Sequence, residues 1–169
     1  MSADSEQRTL VSTLRDAFGA SRPAPGWWAW LRDPHFLVAL LAAFPVWSAI
    51  GLAARDYMQV TFTTVALISF VVIQPALEEL AFRGALQGFL LQRGAARRIG
   101  PISFANLATT AAFVAVHFSA QPPVWALAVA VPSLVFGHLR ERFASVLPAI
   151  ALHSIYNAGF AVTAWYSLR

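Results

Sequence analysis

Two adjacent carboxylates stand in the middle of a long apolar stretch of the sequence. Glu78 and Glu79 are, together with Arg83, the only charged residues between Asp56 and Arg93. Glu79 precedes Arg83 by four residues, which is the order and spacing in which an acid and a base pair on one helix face. Glu78 lies about 100° away around the same helix and is left without such a partner. A carboxyl of that kind in apolar surroundings suits a general base or a proton carrier.

Two further apolar stretches carry histidine. His117 follows Phe113 by four residues, and His153 precedes Asn157 by four, so each pair shares a helix face. An imidazole and a carboxamide on one face can donate two hydrogen bonds to one oxygen, as an oxyanion hole requires. His117 taken alone is explained equally well by a structural hydrogen bond between helices.

The composition indicates that these residues lie in a membrane. The chain is 58% hydrophobic and 12% charged, whereas a soluble domain carries about 25% charged residues. Its basic residues are all arginine and stand at the ends of apolar segments, as the positive-inside rule places them, which argues against nucleic acid as a partner. The absence of cysteine excludes disulfides, thiolate zinc sites and a cysteine nucleophile.

The apolar stretches predict an all-α fold, a polytopic transmembrane helical bundle. About five spans are expected, at residues 35–54, 58–91, 102–119, 124–139 and 145–166. The second is expected to be one tilted helix kinked at Pro75, and residues 140–142 are expected to form a loop. Residues 1–34 are predicted to be an N-terminal interfacial segment with an amphipathic helix at 9–18, followed by a transmembrane domain at 35–169.

Arginine counting also predicts orientation and depth. With the N-terminus in the cytoplasm, nine arginines fall inside and two outside. Measured from the arginine-marked inner ends at 1.5 Å per residue, Glu78, His117 and Asn157 lie about 18–22 Å deep and His153 about 12 Å deep. These four residues are therefore predicted to converge in one buried pocket.

Three short motifs occur in order on separate predicted spans. They are Glu78-Glu79-x-x-x-Arg83, Phe113-x-x-x-His117 and His153-x-x-x-Asn157. In type, spacing and order they resemble the motifs of the CPBP family, the CAAX prenyl protease type II and Abi-type intramembrane proteases. The resemblance covers about residues 60–160 and implies an intramembrane endopeptidase of the glutamic type. Such an enzyme would cut a protein near its C-terminus or within a membrane segment.

The resemblance also implies roles for the motif residues. Glu78 with His117 would activate a water molecule, and His153 with Asn157 would stabilise the oxyanion of the tetrahedral intermediate. The supporting residues would be Glu79, Arg83 and Phe113. No cofactor is expected, with zinc as the alternative, because Glu, two His and Asn are an unusual zinc ligand set.

Several alternatives remain open at the level of the sequence. The substrate could be a lipidated protein or an exported protein with a C-terminal sorting tail, in a bacterial inner membrane. A non-enzymatic immunity or partner-binding protein could use the same polar residues as contacts between helices. A proton-coupled transporter could use them as a relay, although about five spans without a repeat is small for that class.

Overall fold

The described part of the chain forms a bundle of helices with one very short hairpin. The structure, a computed structural model, describes residues 12–13, 15–20, 26, 28–53 and 60–167. Its helices are α1 (Pro34–Ala53), α2 (Thr64–Gln92), α3 (Phe104–His117), α4 (Pro123–Ala128), α5 (Ala130–Phe143) and α6 (Leu147–Ser167). The predicted all-α class is confirmed. A 3₁₀ turn, Ala29–Arg32, leads into α1, and an antiparallel pair, β1 (Arg98–Ile99) and β2 (Ile102–Ser103), was not predicted.

Three helical segments are long and apolar enough to cross a membrane. Within the described residues they are Pro34–Leu52, Thr64–Gln92 and Pro123–Phe143, the last made of α4 and α5 in succession. Helix α6 has 21 residues but carries polar side chains, and α3 has only 14 residues. Fourteen residues span about 21 Å, less than a hydrocarbon core of about 30 Å. The chain is an integral membrane protein, and the count of five spans stays a prediction.

Helix α2 passes through Pro75 without ending, as predicted. The helix widens to π geometry over Ser69–Ile73 and again over Leu80–Gln87. Pro75 has no N–H to donate to the preceding turn, so a change of hydrogen-bond pattern just before it relieves the missing bond. Between the two π segments lies the α-helical stretch Gln74–Glu79, which carries both carboxylates. Short π segments in α-helices are frequent at functional sites.

The predicted loop at residues 140–142 is wrong, because α5 continues to Phe143. The three charged residues there find partners inside the protein. Arg140 is 4% exposed and donates to the Ala17 carbonyl at 2.9 Å. Glu141 is contacted by Arg98 at 2.7 Å, and Arg142 pairs with an aspartate before α1. The prediction of a loop assumed that these charged residues would face water, whereas here the protein supplies partners for all three.

Residues 15–19 of the N-terminal segment pack into the bundle. Residues 15–18 are helical, and Gly19 follows them with a positive φ of 63°. The Gly19 carbonyl accepts a hydrogen bond from the Val146 amide at 2.8 Å. A Cβ atom at Gly88 would overlap the Ala17 carbonyl oxygen, so this glycine permits close approach. Residues 9–11 and 14 of the predicted amphipathic helix lie outside the described part of the chain.

Helix α6 packs between α1 and α5 and forms the centre of the bundle. A cluster of buried apolar side chains fills the space between these helices. Its largest members are Trp30, Phe36, Phe136, Leu139, Phe143 and Leu152. Helix α3 packs against α5 on the other side, and α2 contacts both α3 and α6. This arrangement brings the carboxylates of α2 next to the polar face of α6.

Candidate active site

Glu79 is a fully enclosed polar group of the candidate site. Its side chain is fully buried, and its Oε1 accepts a hydrogen bond from Arg83 Nη1 at 3.0 Å. The ion pair predicted from the four-residue spacing is therefore present. The same Oε1 also accepts from His153 Nδ1 at 2.9 Å, a contact between α2 and α6 that was not predicted. Both donors thus meet at one oxygen of the carboxylate, whereas Oε2 is buried without a hydrogen-bond partner among the described residues.

His153 lies between the two adjacent carboxylates. A carboxylate oxygen only accepts, so the contact with Glu79 assigns the proton to Nδ1 of this imidazole. The other ring nitrogen, Nε2, lies 3.9 Å from Glu78 Oε2. The ring stacks on Phe136 with centroids 4.8 Å apart and an angle of 19° between the planes. Glu79 and Phe136 therefore hold the imidazole with its second nitrogen directed at Glu78.

Asn157, one turn further along α6, also contacts α2. Its Nδ2 donates to the Phe70 carbonyl at 2.8 Å. Phe70 lies in the π segment Ser69–Ile73, where the carbonyls do not follow the α-helical pattern of bonding. A carboxamide nitrogen has two N–H groups, so one remains for a second acceptor. His153 and Asn157 lie on one face as predicted, but in this structure they bind different acceptors.

His117 is oriented by its own helix. Its Nδ1 lies 2.8 Å from the Phe113 carbonyl, one turn earlier. A carbonyl only accepts, so Nδ1 carries the proton and Nε2 of the neutral ring is left as a proton acceptor. The Phe113 ring lies 4.3 Å from the His117 ring and 6.4 Å from that of His153, centroid to centroid. Within the described ranges no hydrogen bond or ion pair joins His117 to Glu78, and the convergence of these two residues stays a prediction.

Arg83 connects the site to a buried polar chain that sequence reasoning missed. Its Nη2 donates to the backbone oxygen of Ser133 at 3.0 Å and to Ser133 Oγ at 2.7 Å. Ser133 Oγ in turn donates to Thr110 at 2.9 Å. A signal was available in the sequence, because polar residues at 103, 106 and 110 recur on the face of α3 that carries Phe113.

Metal ligands are not grouped at the candidate site among the described residues. In the part of the chain that the structure describes, no three His, Asp or Glu side chains are grouped so that they could hold one metal ion. A catalytic zinc site uses three protein ligands and an open position. Glu78 lies 3.9 Å from His153, whereas Glu79 is already bonded to both Arg83 and His153, so these three side chains do not form an open set of ligands.

Two cavities border the described part of α2. The larger, about 420 Å³, is lined by Asp16, Gly88, Arg98 and Arg140 among others and contains none of the candidate site residues. The smaller, about 260 Å³, includes Ser69, Phe70 and Gln74. Gln74 precedes Glu78 by one helical turn, so this second cavity lies on the side of α2 that carries the site.

The comparison with known families decides the assignment. The family model described as type II CAAX prenyl endopeptidase Rce1-like matches residues 60–159, more than half of the chain. The chain belongs to this family. All three motifs of the Rce1-like protein lie within the matched residues, and the resemblance seen in the sequence is thereby confirmed. Neither curated proteins nor solved structures give a match.

Family membership gives a coarse function. An Rce1-like chain is a peptidase, a hydrolase of the CAAX type, and its substrate is a protein. The apolar helices place it in a membrane. The residues N-terminal to position 60, including the docked segment at 15–20 and all of α1, are not covered by the family match.

Proposed function

We propose that this Rce1-like protein is an intramembrane endopeptidase of the glutamic type. It would hydrolyse a peptide bond near the C-terminus, or within a membrane segment, of a protein substrate. The observation that carries the proposal is the position of His153, which is bonded to Glu79 and faces Glu78 across 3.9 Å. Placing a histidine and two carboxylates inside a membrane bundle costs free energy. Such groups in a membrane segment therefore indicate a functional site.

Glu78 is the better candidate for the general base. Glu79 is fully buried and already accepts from Arg83 and His153, whereas the Glu78 side chain is 33% exposed. In the proposed step, Glu78 takes a proton from water as the water oxygen bonds to the substrate carbonyl carbon. The carbonyl π electrons move onto oxygen. Cleavage of the C–N bond then returns the proton to the leaving amine.

His117 would assist proton transfer. Its Nδ1–H is directed to the Phe113 carbonyl, which leaves Nε2 to accept a proton from water or from Glu78. The motif spacing of Phe113 and His117 agrees with this role, because the carbonyl that orients the ring lies one helical turn before it. A bound water between His117 and Glu78 would connect them, since no hydrogen bond joins the two among the described residues.

His153 and Asn157 would stabilise the oxyanion. Because Nδ1–H of His153 is bonded to Glu79, only Nε2 can reach a substrate, and it donates only as the imidazolium. The positive charge of that form would lie between Glu78 and Glu79. Asn157 has a second N–H beside the one given to Phe70, and one such donor contributes about 10²–10³-fold to kcat in known oxyanion holes.

We also propose a class of substrate, a membrane location and a cofactor requirement for this enzyme. The substrate would be a protein with a lipidated C-terminus or with a C-terminal sorting tail. The enzyme would lie in a bacterial inner membrane with a cytoplasmic N-terminus, as the arginine distribution favours. Hydrolysis would proceed without a cofactor. Zinc is the alternative, and removal by a chelator followed by zinc addition separates the two.

Mass spectrometry of protein C-termini and released peptides tests the proposal. Host membranes would be compared for wild type, a deletion strain, and Glu78→Gln at matched expression. We expect termini that appear with the wild type and vanish in the other two strains. Identical termini in wild type and Glu78→Gln would show that Glu78 is not the base.

The same strains separate the competing functions. A non-enzymatic immunity or partner-binding protein predicts that Glu78→Gln rescues the deletion phenotype, because an amide still forms hydrogen bonds. A proton-coupled transporter predicts flux that depends on a pH gradient, with no terminus that depends on the protein.

A further inference from the structure

A directional chain of buried hydrogen bonds ends at the candidate site. Arg83 can only donate, so Ser133 Oγ accepts from it and directs its own proton to Thr110 Oγ1, 2.9 Å away. Thr110 in turn donates to Asn106 Oδ1 at 3.3 Å, and Asn106 Nδ2 donates to the Leu134 carbonyl at 2.9 Å. The chain thus runs from α2 to α5, on to α3, and back to α5.

Every side chain in this series is removed from solvent. Arg83 and Ser133 are 0% exposed, Asn106 is 1% exposed and Thr110 is 6% exposed. A buried polar group that loses its partner cannot turn to water, so each group is held by the next one. The direction of the whole chain is fixed at one end by Arg83, which has no acceptor.

The orientation of Arg83 depends on this chain. Its guanidinium carbon lies 4.7 Å from the Phe113 ring centroid and 5.5 Å from that of Phe136, and these rings limit its tilt. Its rotation is set by its hydrogen bonds, to Glu79 through Nη1 and to both Oγ and the backbone oxygen of Ser133 through Nη2. Because Glu79 Oε1 also holds His153, a change at Ser133 would be passed to the imidazole.

We infer that Ser133 and Thr110 are positioning residues, which set the orientation of His153 through Arg83 and Glu79. This inference rests on the proposed function for its kinetic consequence. It does not rest on that function for its structural consequence, since the imidazole would be displaced whether or not the protein cleaves a peptide. Neither residue belongs to the three motifs.

The chain offers a matched control for the decisive variant. Thr110→Val replaces the hydroxyl by a methyl group of similar size and removes the acceptor of the Ser133 proton. Thr109 is the neighbouring residue, 1% exposed, and its hydroxyl has no hydrogen-bond partner among the described residues. Thr109→Val is therefore the same substitution on the same helix at the same depth, without a bond to lose. Ser133→Ala completes the set.

Two readouts are measured on the full chain in detergent or nanodiscs. The first is kcat and KM on a peptide substrate defined by the C-terminal mass spectrometry. The second is the ring ¹⁵N spectrum of protein labelled at histidine, of which the chain has four. The His153 signals are assigned by their loss in His153→Gln. The spectrum does not require a substrate and so tests the inference independently of the proposed function.

We expect Ser133→Ala to lower kcat about tenfold and Thr110→Val to lower it about threefold, with KM within about twofold of wild type. Both variants should shift the His153 Nδ1 signal, and Thr109→Val should change neither readout. If Ser133→Ala does not fold, Thr110→Val carries the test. The inference is overturned if the His153 signal and kcat of Thr110→Val equal those of wild type, or if Thr109→Val produces the same change. Shifted signals in a protein without any peptidase activity would support the inference and reject the proposed function.

Discussion

Glu79 Oε1 lies 2.9 Å from His153 Nδ1, and this contact joins α2 to α6 in the interior of the bundle. The same oxygen lies 3.0 Å from Arg83 Nη1. One carboxylate oxygen therefore accepts hydrogen bonds from both the buried Arg83 and the histidine of the candidate site. Stability and activity are coupled at this atom, and substitutions should reveal the two contributions separately.

The buried pair Glu79–Arg83 should show strong coupling in a double-mutant cycle. Glu79→Gln leaves the Arg83 charge buried without its carboxylate, and Arg83→Met leaves the Glu79 charge buried without its guanidinium. Each substitution alone should lower the free energy of unfolding by about 3–5 kcal/mol. The double variant should cost clearly less than the sum of the two. Denaturant unfolding in mixed micelles measures this. Strict additivity of the two losses would contradict the pairing, and Glu78→Gln, at the more exposed neighbour, serves as the control with a small effect.

Asn157→Ala should affect activity more than stability. It removes one hydrogen bond to the Phe70 carbonyl, which should cost about 1 kcal/mol in the free energy of unfolding. If Asn157 also donates to the oxyanion, kcat should fall about 100-fold with little change in KM. The ratio of the two effects is obtained from thermal unfolding and from kinetics on the same preparation. A loss of kcat no larger than fivefold would assign Asn157 to structure alone.

Gly88→Ala should release the N-terminal segment. A Cβ atom there would overlap the Ala17 carbonyl oxygen, and that oxygen also accepts from Arg140 at 2.9 Å. We expect trypsin to cut after Arg15 at least about five times faster in the variant, because local opening exposes the chain. Gly26→Ala is the matched control, since a Cβ at Gly26 has no atom within 4 Å. Equal cutting rates in Gly88→Ala and wild type would contradict the docking.

The ion pair before α1 should make a small contribution that depends on pH. The hydrogen bond from Arg142 lowers the pKa of Asp33 below its ordinary value of 3.8, with Nη2 and Oδ2 separated by 2.7 Å. A lowered carboxyl pKa stabilises the fold above the unfolded pKa, and this stabilisation is lost as pH falls through the folded value. The contribution should be below about 1 kcal/mol because Arg142 is 38% exposed.

Thermal unfolding of wild type and Asp33→Asn checks this at about pH 6 and about pH 3. The difference in Tm between the two proteins should shrink at the lower pH. A difference that stays constant, or grows on acidification, would exclude the contribution of Asp33. Comparing the two proteins at each pH cancels the effect of the other carboxyl groups.

Local spacing predicted the features that depend on one helix alone. The Glu79–Arg83 pair follows from four residues of separation, and α1 was placed within one residue of its observed bounds at Pro34–Ala53. Both features require only the geometry of a regular helix and the length of an apolar run.

Features that depend on distant partners were not predicted. Ser133 lies 50 residues from Arg83, and its role is visible only when α5 packs against α2. The helical continuation through Arg140 depends on the Ala17 carbonyl, 123 residues away. The contact of His153 with Glu79 is of the same kind. The predicted catalytic roles of Glu78, His117, His153 and Asn157 stay predictions.

The two π segments divide α2 into sections that follow different helical wheels. Each segment, Ser69–Ile73 and Leu80–Gln87, bonds with a longer repeat than the α-helix, so residues before and after it are out of phase with each other. A single wheel drawn through α2 would assign lipid-facing and protein-facing positions wrongly beyond each segment. If the first segment took regular α geometry with all five of its residues kept, the residues after it would turn by about 100°. Loss of one residue at the same time would cancel that turn and leave their facing unchanged. The facing of the two carboxylates is therefore set by the hydrogen-bond pattern of α2 as well as by the number of residues before them.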